Sequence, residues 1–324
     1  MPSLKEIKGR IASVNSTRKI TSAMKMVASS KLHHAQVAIQ NMLPYEELLE
    51  HILKSFLAAE AEAQTIYDQE RPVKRAALVV FSSNSSLCGG FNANIIKQMT
   101  HAVNEYAETI GRDNVEIYPI GRKVYEKARK MGLNVQGEYS ALADHPNVHD
   151  CIEIAMELGR KFAQGEIDKV ELIYHHFKSA GSQVLTRKTF LPIDVESELQ
   201  ADHERDLESV IATKQSQEYL KNRGERKDEG AKSEEVKPLN DNFIVEPDMN
   251  CVLSLLMPKL AHLMLYTALL DSNASEHAAR MVAMQTATDN ADELLRQLNL
   301  QYNKSRQQAI TSELLDIVGG SVNN

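Results

Sequence analysis

The residues Ser82-Ser-Asn-Ser-Ser-Leu-Cys-Gly-Gly-Phe-Asn stand between an apolar, strand-like run and a helical pattern, a position where phosphate-binding loops occur. Such loops cradle phosphate with glycine backbone N–H groups and usually a lysine. This one has neither G-x-G-x-x-G nor G-x-x-x-x-G-K-[ST], and it contains no Lys. It reads as a tight structural turn. Cys88 within it has no cationic neighbour in sequence to activate it as a nucleophile. The histidine clusters are His33-His34, His175-His176 and His145-Pro-Asn-Val-His149. The last has the i,i+4 spacing that could present two metal ligands on one helix face, but Pro146 interrupts that helix, and H-E-x-x-H is absent. Arg306, Gln307, Thr311 and Glu313 lie close together near the end of a long helical pattern, where by residue type alone they suit an exposed face. No catalytic set, cofactor site or metal site emerges.

The element that carries those last four residues runs from about Ser275 to Val318, before Gly319-Gly320, and holds no internal Pro or Gly. Met281, Met284, Thr288, Ala291, Leu295, Leu298, Tyr302, Ser305 and Ala309 recur at alternating spacings of three and four. That is a heptad seam, which predicts a helix on the order of 60 Å long packed along a partner helix. The partner is at the other end of the chain. Leu4, Ile7, Ile11 and Val14 open the same pattern and Ala28, Leu32, Ala35, Ile39 and Met42 continue it. Between them the seam positions are Arg18, Thr21 and Lys25, which an ordinary core avoids. Small residues cluster at Ser22-Ala23 and Ala28-Ser29-Ser30, so an antiparallel coiled coil is favoured over two helices lying on a globular core. Pro44 and Pro258 each predict a kink or a helix boundary.

The 324 residues suffice for two domains, and 43% apolar residues suit a globular protein. No apolar run approaches the roughly 20 residues needed to span a bilayer, so no transmembrane helix is expected, and Met1-Pro2-Ser3 leads straight into the helical pattern without room for a signal peptide. A net charge of −7 argues against a dedicated nucleic-acid binder. Yet Lys5, Lys8, Arg10, Arg18, Lys19, Lys25 and Lys31 make the first helix basic, which suits first a solvated helix face, then a shaft facing acidic partners, and last a polyanion-binding surface. Cys88, Cys151 and Cys251 are far apart, odd in number and without metal-ligand spacing, so free thiols in a reducing compartment are expected.

Between the two end helices, strands are predicted at 75–82, 115–121, 135–140, 169–177 and 183–193, and helices at 92–110, 122–131 and 148–164. The alternation predicts a central, mainly parallel, Rossmann-like α/β domain covered on both faces. From Val195 to Asp241 the composition turns polar and charged, which predicts an exposed, partly disordered insertion with a short helix within 199–220. The expected divisions are thus 1–60 and 248–320 for the coiled-coil helices, 73–195 for the α/β domain and 196–241 for the insertion. Cys251–Leu270, strongly apolar, should dock on the α/β domain.

Three segments carry a family resemblance. Leu4-Lys-Glu-Ile-Lys-Gly-Arg-Ile-Ala-Ser-Val-Asn-Ser-Thr-Arg-Lys-Ile-Thr-Ser-Ala-Met-Lys-Met-Val-Ala-Ser-Ser-Lys-Leu resembles the N-terminal helix of the gamma subunit of F-type ATP synthases. S-E-H-A-A-R-M-V-A-M with Y-N-K-S-R-Q-Q-A-I-T-S-E-L-L-D-I-V-G-G resembles its C-terminal signature, and L-C-G-G-F-N its third. The order is that of the family, and all but the polar insertion is covered. The resemblance implies a non-catalytic rotor shaft that couples proton-driven c-ring rotation to conformational change in the catalytic subunits. Its partners would be the alpha and beta subunits, epsilon and the membrane c-ring, with no nucleic acid and with membrane contact only through the complex. The location implied is the cytoplasmic face of a bacterial inner membrane. The resemblance further implies that Met24, Arg306, Gln307, Thr311 and Glu313 meet the catalytic subunits and that Glu246 faces the c-ring. The turn departs from the family's S-D-x-G-L-C-G, with Asn84 and Ser86 replacing the Asp and Gly. The insertion has no cysteine, so the disulfide switch of chloroplast relatives is not expected. Set against this reading are a coiled-coil adaptor and an enzyme of the α/β domain with its ligand at the strand C-termini.

Overall fold

The computed structural model describes residues 3–59, 66–194, 245–246 and 248–322. The predicted insertion and its helix lie outside the described residues. The chain divides into two compact units, Met1–Ser29 with Arg280–Asn324, and Ser30–Ala279. Two long helices contribute to both, α1 (Leu4–Ala59) and, last in the chain, α6 (Met249–Val322).

In the first unit the N- and C-terminal helices pack against each other. Arg18 Nη1 donates to Asp292 Oδ1 at 3.0 Å, and the Thr21 and Thr288 hydroxyl oxygens are 2.8 Å apart. As one contact advances along α1 the other retreats along α6, so the pair is antiparallel. Continued in helical steps, this register sets Leu4 opposite Ser305, Ile7 opposite Tyr302, Ile11 opposite Leu298, Val14 opposite Leu295 and Lys25 opposite Met284. Every seam position predicted on both helices in this unit is buried or half-buried, the polar Arg18, Thr21 and Lys25 included. The Arg18–Asp292 pair is 40% and 53% exposed, so it marks register and contributes less than about 1 kcal/mol.

The second unit is built on a five-stranded sheet in the order β3-β2-β1-β4-β5. Its elements are β1 (Ala76–Phe81), α2 (Phe91–Ile110), β2 (Val115–Ile120), α3 (Arg122–Lys130), β3 (Asn134–Val135), α4 (Ser140–Asp144), α5 (Val148–Ala163), β4 (Lys169–Ser179) and β5 (Ser182–Leu191). β1 pairs in parallel with β2 and β4, β2 in parallel with β3, and β5 antiparallel with β4. All six residues of β1 are buried, as a central parallel strand with two covered faces requires. Alternate side chains serve opposite faces. Ala76, Leu78 and Val80 pack with Ile95, Met99 and Ala102 of α2 and Val124 and Ala128 of α3. Ala77, Val79 and Phe81 pack with Ile154, Leu158 and Phe162 of α5, Leu49 and Leu53 of α1, and Leu253 to Leu269 of α6. The α/β domain covered on both faces is therefore as expected, and the apolar 251–270 segment docks on it.

The structure corrects several local expectations. α1 runs through Pro44 without a break, because Leu43, Leu49 and Leu53 on either side are almost fully buried and hold the helix on course. α6 likewise runs through Pro258, flanked by buried Met257 and Leu260, so that proline is not its start; nor does the helix stop at Gly319-Gly320. The third strand is confined to Asn134–Val135. Gly137 turns the chain with φ +68°, and α4, unforeseen, follows. One window within Cys251–Leu315 is apolar enough to span a bilayer by composition. This corrects the expectation that no stretch is long and apolar enough; half of the window is buried within the fold.

At the end of β2, Gly121 has φ +110°, and a Cβ there would lie 2.1 Å from the Ser82 carbonyl oxygen. Gly121→Ala is expected to cost at least about 2 kcal/mol, read as a lowered urea midpoint. In the coiled coil, one of the Thr21 and Thr288 hydroxyls donates across the interface while the other donates within its own helix. A double-mutant cycle with Thr21→Val and Thr288→Val is expected to give a coupling of about 0.5–1 kcal/mol in urea unfolding; zero coupling would mean that the pair does not fix the register.

Candidate functional site

The turn after β1 is filled by its own side chains. Asn92 Oδ1 accepts from Ser83 N at 3.1 Å, and Asn92 Nδ2 donates to Ser83 Oγ at 2.7 Å and to Cys88 Sγ at 3.1 Å. Asn84, which stands where the family's pattern has Asp, uses both ends of its amide. Its Oδ1 accepts from Arg122 N at 2.9 Å, and its Nδ2 donates to Ser140 O and Asp144 Oδ2, each at 2.7 Å. A carboxylate there would accept only, and would face Asp144 with like charge. Cys88 is buried. The arrangement ties β1, α3 and α4 together, as a structural turn does.

The histidines separate by element. α5 begins at Val148 with Asn147 as its N-cap, so His145 and His149 do not share a helix. Among the described residues no three metal-ligating side chains converge. His175 is buried and stacked on Phe91 at 4.4 Å, and burial pushes its pKa down to about 4, so it is a neutral ring at physiological pH. Its neighbour His176 places Nδ1 2.7 Å from Oδ2 of the fully buried Asp271 on α6. Asp271 begins a polar belt, with Ser272, Ser275, Glu276 and His277, all buried. Sequence reasoning missed this belt; its signal is the abrupt polar run that ends the apolar stretch at Leu270.

The first unit holds most of the residues expected to meet partners. Arg306, Gln307, Thr311 and Glu313 are all exposed, and their positions cover about half the circumference of α6. Thr311 Oγ1 donates to Gln307 O at 2.9 Å, within the helix. Since Leu4 already faces Ser305, α6 soon outruns α1 beyond Arg306. On this stretch Ile310, Leu314 and Leu315 are also exposed, Leu315 to 65%. Met24 is half-buried on α1, opposite about residue 285, so roughly 30 Å of helix separates it from Arg306. The expected contacts therefore form two bands, one around Met24 and one at the end of α6. Sequence reasoning did not find the neighbours of Met24 that face outward, Ile20, Met26 and Val27. Their signal was apolar residues falling off the seam. The basic residues Lys5, Lys8, Arg10, Lys19 and Lys31 are likewise exposed. In the second unit Glu246 is exposed, just before the start of α6.

A family model described as ATP synthase matches residues 3–322. The ATP synthase gamma chain of Phocaeicola vulgatus is 52% identical over 322 residues, covering 99% of this chain and 100% of that protein. That of Bacteroides thetaiotaomicron is 50% identical over 324 residues, with coverage of 99% and 100%. Among solved structures, a rotor chain of the Euglena gracilis mitochondrial ATP synthase aligns with a TM-score of 0.56 at 17% identity, covering 95% of this chain and 98% of that one. A chain of the Tetrahymena thermophila central stalk and c-ring aligns with a TM-score of 0.50 at 22% identity, covering 83% and 99%. At those identities the structural likeness speaks to the fold. A chain that matches the family model from residue 3 to residue 322 and shares about half its residues with these relatives from end to end belongs to the ATP synthase gamma chain family.

Proposed function

We propose that this chain is the central rotor shaft of an F-type ATP synthase, turned by a proton-driven c-ring and coupling that rotation to ATP synthesis or hydrolysis in the catalytic subunits. It carries no active site of its own. The observation that supports this best is the antiparallel seam followed by a stretch of α6 that has no α1 residue opposite it. Such a rod differs on every side, so surrounding subunits of identical sequence each meet a different surface. A shaft angle biases a catalytic subunit only through unequal interaction with its conformations, and an asymmetric surface supplies that inequality. Small and polar residues such as Ala23, Ser29 and Ser30 face outward beside exposed apolar side chains such as Ile20, Met26 and Val27, so the surface offered to a neighbour changes around and along the rod.

In this reading Arg306, Gln307, Thr311 and Glu313 engage the alpha and beta subunits near the end of α6, and Met24 does so in a second band. Arg306 and Gln307 have exposed donors suited to acidic or carbonyl groups. Residues 73–195 form a foot beside epsilon, and Glu246 faces the c-ring. The complex holds the chain at the cytoplasmic face of a bacterial inner membrane.

In the assembled enzyme, Arg306→Ala with Gln307→Ala is expected to lower ATP-driven proton pumping about tenfold, the equivalent of about one lost charge-assisted hydrogen bond. The isolated chain's stability should change by less than about 0.5 kcal/mol, since both side chains are exposed. Wild-type ATP synthesis in the double variant would remove these residues from the coupling surface. Deleting residues 199–237 is expected to leave the chain co-purifying with its companion subunits; failure to assemble would make the insertion a docking element.

A further inference from the structure

The second unit contains a groove of about 520 Å³ between α1, α5 and α6. Met42, Ile152 and Leu263 give it apolar walls, and Lys259, His262 and Tyr266 of α6 face it at the i, i+3 and i+7 positions of one helical stripe. Among the described residues none of these three polar side chains has a hydrogen bond or ion pair, and no carboxylate lines the groove. Burial lowers the pKa of His262 and raises that of Tyr266, so at neutral pH they are an uncharged ring and a hydroxyl donor. Lys259 is thus the one cation among the lining residues.

We propose that this groove is a binding site for a soluble amphipathic carboxylate, its apolar body lying on Met42, Ile152 and Leu263 and its anionic head held by the Lys259 ammonium. Charge complementarity selects the sign of the head, and Tyr266 and His262 supply further hydrogen bonds beside it. The volume falls in the range of roughly 300–1,000 Å³ that encloses small organic ligands. A single cation, rather than a cluster of four or more basic residues, suits a free molecule and not an anionic lipid surface. This inference does not rest on the rotor assignment, because it concerns the chain by itself.

The test is isothermal titration of the full-length chain with decanoate and with decylamine, both below micelle-forming concentration. Decanoate is expected to bind at one site, at least about tenfold more tightly than decylamine, the effect of one charge-assisted contact. Lys259→Glu should reverse that preference. Ile152→Trp, which fills the groove, should abolish decanoate binding while circular dichroism shows unchanged helix content. No decanoate binding, equal binding of the two amphiphiles, or an unchanged preference in Lys259→Glu would each overturn the proposal. So would tighter decanoate binding after deletion of residues 199–237, since that result makes the chain's own insertion the occupant.

Discussion

Two helices drawn from opposite ends of the sequence must meet in one register, and the coiled coil depends on that register being unique. A row of Leu, Ile and Ala at alternating spacings of three and four tolerates a slip of a whole heptad far better than a slip of one residue. The Thr21–Thr288 pair breaks that degeneracy, because sliding α6 by a heptad would set each hydroxyl against an apolar side chain or a different polar group. Arg18 with Asp292 marks the same alignment from the rim of the interface. The stretch that looks weakest as a core thus specifies the pairing, while the buried Ile7, Ala28, Met284 and Ala291 supply apolar contact in the same unit.

A comparable division of labour operates inside the second unit. The sheet's two faces are apolar, with alternate residues of β1 packed under helices on each side, so hydrophobic burial dominates there. Against this, α6 brings Asp271, Ser272, Ser275, Glu276 and His277 into buried positions. The fully buried Asp271 needs a partner, and His176 provides one at 2.7 Å, while Ser275 Oγ donates to the His175 carbonyl at 3.1 Å. These bonds are directional, so they set where α6 lies along β4 in a way that Leu-on-Leu packing cannot.

Much of this was legible in the sequence, and for identifiable reasons. The seam showed because its period is a property of the chain alone, and it located even the polar members Arg18, Thr21 and Lys25. β1, β2 and β4 showed because strands buried on both faces are nearly continuous apolar runs. The failures occurred where tertiary burial outweighs a local rule. Pro44 and Pro258 are helix breakers by themselves, yet each sits among buried leucines and methionines that keep the helix intact. The third strand was overextended because Gly137 was not read as a turn. Arg306, Gln307, Thr311 and Glu313 carry no chemistry that distinguishes them from any wet helix face; the family's signature pointed to them, and residue type did not. Asp271 was hidden for the opposite reason, since its partner His176 is distant in sequence and only the folded chain joins them.

The unpaired end of α6 has a mechanical consequence. A lone α-helix is about 10–12 Å across with its side chains, roughly half the girth of the two-stranded rod below it. Thinness of that degree makes the tip far softer in torsion, so angular strain imposed on the chain concentrates there before it reaches the stiffer double-stranded part.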